Sequence, residues 1–572
     1  MPIIGYNLLN LRRKVQLAQF LRIIELKKID RKEMRKNLRQ ANRILTGIVA
    51  SMVAFSALSQ VKSGRPQLVL GIVVDQLRSD YIELLQSYFG ERGFNRLLRE
   101  GAYFENVDFN CANLDVASGT ALVMSGAYPN INGIPQALIF DPSTKKATPV
   151  LTDAQCMGNF TNETLSPVAL TVSTLADEVR VNNDGLGLVY AIAPDAQQAI
   201  ILAGHAANSA FWINDVDGKW STSTFYKDVP QCLKTRNYSQ PLSNRLNTMA
   251  WEPALALERY VDIPEARRFY KFRYNYPDND KNRYRAFKQS ALVNEEVTSV
   301  AIDYINNLKL GSRGQLDMLN IGYTAAPYEY SKDADNRFEL HDTYIRLDAQ
   351  LERLFDAVDK SVGMNNVVVF VTSTGYYTDG RPVDAKYNIP SGEFYPDRAI
   401  SLLNMYLMAI YGNGQWVNGY YNRHFYLNRT LIKDKNIDLS EIRAKSSEFL
   451  RQMSGVKAAY TYEEILNNPV NEDLKELNRV MVPTLQGDVV IKVTAGWSIV
   501  ETLNAQSKVT HVRDNAVTVP AFILAPQVKS QRITDAIDAS FLAPTVSRIL
   551  RIRSPNADSY MPVSLYYVRQ SC

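Results

Sequence analysis

Residues 69–80 read VLGIVVDQLRSD: a run of apolar, mostly β-branched residues without alternation that ends in the carboxylate Asp75. A continuous apolar run of this length suits a strand buried on both faces, the habit of parallel sheets covered by helices. In open α/β sheets functional groups collect outside the carboxyl ends of the strands, so Asp75 stands where chemistry is to be sought. Beyond it, Gly93-Phe94 followed by Leu97 and Leu98 begins a helix.

Comparable runs recur at 67–74, 187–193 (GLVYAIA), 199–203 (AIILA), 316–321 (LDMLNI), 366–373 (NVVVFVTS) and 520–525 (PAFILA). Each predicts a strand, and the longer segments between them have helical spacing, the pattern of βαβ units. Segment 342–359 places Ile345, Leu347, Leu351, Leu354, Phe355 and Val358 on one stripe with charges opposite, a helix packed on the sheet. The expected fold class is α/β: a mostly parallel central sheet with helices on both faces. Region 391–487 differs in texture, rich in Tyr and Asn with helices expected near 440–453 and 461–478. It reads as an inserted cap region within a domain spanning 60–572.

The chain has 572 residues, 46% of them hydrophobic, which is enough for one large core with a sizeable insertion. Lys and Arg number 64 against 59 Asp and Glu, and no concentrated basic block follows residue 43, so nucleic acid is not an expected partner. The N-terminus points to export. Arg35, Lys36, Arg39 and Arg43 precede the apolar stretch Ile44 to Leu58, and Ala57-Leu58-Ser59 supplies small residues for cleavage before Gln60. Residues 1–59 thus read as an extension plus signal peptide, with translation starting at Met1 or Met34. The stretch is short for a bilayer span, and the alternative is an uncleaved signal anchor. Cys111, Cys156, Cys232 and Cys572 permit disulfides without forming a disulfide framework, and no Cys/His spacing suggests thiolate-bound zinc.

Stretch 113–134, NLDVASGTALVMSGAYPNINGI, brings Gly126, Tyr128-Pro129 and Asn132-Gly133-Ile134 into the order "TG..P..HGI". Stretch 201–227 (ILAGHAANSAFWINDVDGKWSTSTFYK), the helix 342–348 (DTYIRLD), Trp497 in AGW and 510–523 (THVRDNAVTVPAFI) follow in turn. Together and in order these segments resemble the alkaline phosphatase superfamily, in the branch of type I phosphodiesterase/nucleotide pyrophosphatases and phosphate-irrepressible periplasmic alkaline phosphatases. The resemblance runs from about residue 66 to the C-terminus and implies an alkaline-phosphatase-like fold.

It also implies a chemistry: a Thr or Ser attacks phosphorus between two metal ions, which needs carboxylates and imidazoles in numbers. Carried over residue by residue, little of that set remains. Asp75 matches the first metal-binding Asp. The nucleophile position falls on Val116, which has no atom able to attack phosphorus; Ser118 and Thr120 follow one turn on. The Asp and His offered to one metal fall on Pro327 and Ser331, and those offered to the other on Thr374 and Gly375. Such residues are poor partners for a divalent ion. The last histidine matches His511. The Lys and Arg that hold phosphate in the monoesterases fall on Pro194 and Ala196, and a phosphate-contacting Asn falls near Ala137. Of the other histidines in a chain with only four, His205 matches a scaffold position, while His341 and His424 read as surface or loop residues.

The resemblance with this depleted set implies an exported, catalytically inactive alkaline-phosphatase-like protein, periplasmic or outer-membrane-associated, acting as a binding or scaffold component with a protein partner in the cell envelope. No cofactor is expected, and contact with a membrane is expected only through a partner or an uncleaved signal. A variant of this reading has Tyr376 and Tyr377 stacking on a sugar or base in the old pocket. The alternative is a metal-dependent phosphodiesterase or phosphomonoesterase with altered ligands, zinc held by Asp75 and His511 with a carboxylate such as Asp115.

Overall fold

The computed structural model describes residues 65–565 except 262, 332, 334, 379–389, 468–469, 504–505 and 513–517. The expected signal peptide and Cys572 lie outside the described residues. Its centre is an eleven-stranded sheet. Strand Leu68–Asp75 lies in the middle, parallel to Asp317–Thr324 on one side and to Val367–Ser373 on the other. Val189–Ile192 and Ser209–Ile213 extend the parallel set. Val519–Leu524 runs antiparallel between Val367–Ser373 and Ala102–Asp108, where the sheet turns mixed. The mostly parallel sheet expected from the apolar runs is therefore present.

The two faces of the sheet carry separate cores. Leu68, Leu70, Ile72 and Val74 pack on one side with Leu351, Leu354 and Phe355; Val69 and Val73 face the other side with Ala117, Ala121 and Leu122. Gly71 permits the close fit, since a Cβ there would fall 2.3 Å from the Asn320 side-chain oxygen and 2.5 Å from the Phe370 ring. The expected helix over 342–359 spans Arg337–Ser361. Its Asp348 carboxylate accepts the backbone N–H groups of Gly90 and Phe94, both at 2.7 Å, and so caps the helix Phe94–Glu100 from outside.

One expected strand is overturned. Residues 199–203 lie inside the helix Ala196–Ala203, capped by Asp195, whose carboxylate accepts from the N–H of Gln197 and Gln198. All eight residues are buried, Gln197 and Gln198 included, and the five-residue apolar run within such a helix shows no periodicity by which it can be told from a strand.

The cap region is a second α/β layer with its own core. Strands Val417–Tyr421, His424–Leu427, Val489–Val493 and Val456–Thr461 form an antiparallel sheet, backed by helices Pro396–Tyr411 and Leu439–Arg451 around Leu403, Trp416, Phe425 and Leu450. Strand Val489–Val493 and the hairpin Ser498–Leu503/Gln506–His511 carry this layer past the expected boundary at 487. It docks on residues 110–140 of the main domain. Asn422 donates to the Gln136 side-chain oxygen at 2.6 Å, Arg423 reaches Asn113, and Arg479 donates to the Asn110 carbonyl at 3.0 Å.

Candidate functional site

At the carboxyl end of the central strand, Asp75 Oδ1 accepts the Thr374 hydroxyl at 2.8 Å and Oδ2 accepts the Tyr376 hydroxyl at 3.4 Å. Gln76, in the left-handed region at φ 61°, donates its backbone N–H to Thr374 Oγ1 and takes the Thr378 N–H and hydroxyl on its own side-chain oxygen. The result is a hydrogen-bonded clasp joining the ends of strands Leu68–Asp75 and Val367–Ser373. Burial pushes the Asp75 carboxyl up to about 6, with the hydroxyls of Thr374 and Tyr376 offsetting only part of that.

Gly375 stands at φ +81°, and a Cβ built on it would fall 2.2 Å from the ring of the buried Phe109. An aromatic ring occupies the space where the resemblance calls for an imidazole. Gly119, on the helix Val116–Ser125, approaches the same bend: a Cβ there would fall 1.9 Å from the Thr374 carbonyl oxygen. Phe109 carries no sequence signal that would have identified this role.

Val116 is the first residue of that helix, and the hydroxyls near it serve the helix itself. Asp115 is the N-cap and accepts from the N–H of Ala117 and Ser118, while Ser118 returns its hydroxyl in a capping box. The other Asp115 oxygen accepts the Ala137 N–H at 2.6 Å. Thr120 donates to the Val116 carbonyl. The Pro194 carbonyl accepts the Ile213 N–H, and Ala196 opens its helix. Ser331 meets the Tyr274 hydroxyl and Glu339, and Pro327 lines a shallow cleft with Gln76, Arg78 and Tyr377. His511 Nδ1 lies 2.8 Å from the Ser498 hydroxyl, across the hairpin of the cap layer.

Asp75, Asp115 and His511 are therefore not gathered: among the described residues no group of three or more His, Cys, Asp or Glu is placed to hold a metal ion. A two-zinc centre takes about six carboxylate and imidazole donors. Among the described residues the side chains bonded to the Asp75 carboxylate are two neutral hydroxyls, and this donor set does not fit such a centre.

Two histidine expectations are corrected. His341 is fully buried within helix Arg337–Ser361, its ring 5.6 Å from that of Tyr81. His424 is buried in its strand, with Nδ1 3.2 Å from the Gln486 amide, and burial presses its pKa down to about 4. Both sit in interior aromatic settings that, in sequence, look like polar loops. His205 is held by Asp177, which accepts the N–H groups of His205 and Ala206 and lies 3.2 Å from His205 Nδ1. Cys111, Cys156 and Cys232 form no disulfide with one another among the described residues.

The comparisons with known proteins agree with this architecture. The chain is 27% identical over 512 residues to alkaline phosphatase PhoV of Synechococcus elongatus, covering 86% of this chain and 91% of that protein. It is 25% identical to alkaline phosphatase PafA of Elizabethkingia meningoseptica, covering 87% and 94%. The crystal structure of wild-type PafA superimposes with a TM-score of 0.76 at 24% identity, covering 87% of this chain and 98% of that one, a likeness of fold. Residues 69–516 match the pattern of the type I phosphodiesterase / nucleotide pyrophosphatase family, and this alkaline-phosphatase-like chain belongs to that family.

Proposed function

We propose that this protein is an exported member of its family that no longer performs two-metal phosphoryl transfer and serves as a binding or scaffold component for a protein partner in the cell envelope. The carrying observation is the Phe109 ring packed against Gly375, beside an Asp75 whose near neighbours are hydroxyls. Without the ions and the nucleophile, most of the electrostatic stabilisation on which such catalysis depends is gone. The basic run and apolar stretch before Gln60 support export to the periplasm or outer membrane. Among the described residues no helix is long and apolar enough to cross a membrane. No cofactor and no nucleic acid belong to this reading.

A second reading, a metal-dependent phosphodiesterase or phosphomonoesterase with altered ligands, draws on the similarity to the alkaline phosphatases PhoV and PafA. Metal analysis of the full chain purified with zinc present, together with turnover of an aryl phosphate mono- and diester, separates the two. The proposal expects zinc well below stoichiometric and turnover equal to that of Asp75→Ala. Stoichiometric zinc with activity abolished by Asp75→Ala overturns it. For the partner, capture from envelope membranes should recover a defined complex, and isolation only as a free monomer counts against the scaffold role.

A further inference from the structure

Residues 265–273 read EARRFYKFR, and the structure anchors this segment at both ends while turning its middle outward. Arg267 is buried and pairs with Asp333 at 2.5 Å and Glu339 at 2.7 Å. Phe272 is buried with its ring 5.2 Å from Trp251 and 4.9 Å from Phe338. Between these anchors Phe269 is 76% and Tyr270 71% exposed, and Arg268 and Lys271 on either side are exposed too. Neither cation forms an ion pair with a described residue, whereas Arg273 beyond them pairs with Glu252. Glu265 is the one carboxylate within the segment.

Single exposed apolar residues need no explanation on a protein surface. Two adjacent rings exposed by more than two thirds, flanked by cations that pair with no described residue and held on a buried aromatic base, are a different case. Aromatic rings favour the depth of the headgroups, where an apolar body and a polar tip are both accommodated, and flanking Lys and Arg meet anionic headgroups. Two adjacent residues this exposed suit entry into a soft lipid layer better than docking on a second protein. We infer that the tip Arg268–Lys271 is a direct contact site for an anionic membrane surface. This contact adds to the indirect routes expected from the sequence and holds whether or not the chain hydrolyses phosphate esters.

The test is co-sedimentation of the full-length chain with phosphatidylcholine vesicles, with and without phosphatidylglycerol. Comparing tip variants with the unaltered chain leaves any binding through residues 44–58 common to both. The unaltered chain should bind the anionic vesicles more tightly, and raised salt should weaken that preference. Arg268→Glu combined with Lys271→Glu should lower the anionic partition roughly tenfold or more, and Phe269→Ser with Tyr270→Ser should lower it on both vesicle types. All four side chains are exposed, so folding is not at stake. Equal partition of variants and unaltered chain overturns the inference, as does a tip change that alters self-association or capture of an acidic protein while leaving vesicle binding intact.

Discussion

Glu296, on the helix Leu292–Leu308 packed on the sheet, and Asp75, at the carboxyl end of its central strand, are carboxylates with opposite surroundings. Glu296 is clamped by Arg236 at 2.8 Å and Arg245 at 2.6 Å and accepts the Trp220 indole N–H at 2.9 Å. Burial pushes its pKa up, but hydrogen bonds and charge from the two guanidinium groups carry it down to about 2. Burial likewise lifts Asp75, to about 6, and there only hydroxyl and amide groups offset it. Glu296 keeps ionic partners, whereas among the described residues the Asp75 carboxylate at the rim is bonded only to neutral hydroxyls. The comparison breaks most readily at Glu296→Gln, which leaves Arg245 without its carboxylate and Arg236 with only the more exposed Asp303 at 3.1 Å, and should destabilise by about 3–5 kcal/mol in urea unfolding. A loss below about 1 kcal/mol means water replaces the carboxylate easily, and the contrast with the rim loses its meaning.

Gly375 sharpens the rim side of the contrast. Its φ of +81° favours glycine, and Phe109 leaves no room for a Cβ. Gly375→Ala combines backbone strain with overpacking and should cost about 3 kcal/mol, read as a shift in urea midpoint at unchanged slope. Gly375→His, which restores the family's residue type, should do the same without gaining zinc. A stable Gly375→His variant that takes up zinc stoichiometrically would show the ring to be a movable filler rather than part of a fixed core.

The legible part of this molecule was the part governed by apolar periodicity and segment order. The runs at 67–74, 316–321 and 366–373 became the three central parallel strands, and the Ile345-to-Val358 stripe became the long helix. AIILA failed because complete burial erases the difference between a period of 3.6 and a period of 2. The rim was half legible. The resemblance supplied positions to look at, but what surrounds them is three-dimensional: Phe109 meets Gly375 across 266 residues of chain, and Gln76 reaches Thr378 across 302. The burial of His341 and His424 was likewise settled by helix packing and by a second sheet whose strands the sequence marks only weakly.

Acid should separate two of these groups by sign. His424, held near 4 by burial, binds its proton less readily folded than unfolded, so its contribution is complete above the ordinary imidazole range and is lost as pH falls toward 4. Relative to His424→Gln, the unaltered chain should lose about 2–3 kcal/mol between neutral pH and about pH 4. Identical pH profiles for the two proteins would mean that His424 ionises as freely folded as unfolded.

Asp75 runs the other way and gives the smallest effect. Its folded pKa of about 6 lies above the ordinary carboxylate range, so the folded chain holds the proton more tightly, and stability falls as pH rises through the window between the two values. The residue is mostly but not wholly buried, and the remaining solvent access discounts the full linkage of about 3 kcal/mol to roughly 1–2 kcal/mol. Asp75→Asn keeps the shape and an acceptor for the Thr374 hydroxyl while removing the charge. It should therefore stabilise the protein by that amount near pH 8 and leave it unchanged near pH 4, measured by urea unfolding at both. A divalent ion bound at the rim reverses the outcome, because the carboxylate would then be needed ionised: Asp75→Asn would destabilise near pH 8, and added zinc would raise the stability of the unaltered chain alone.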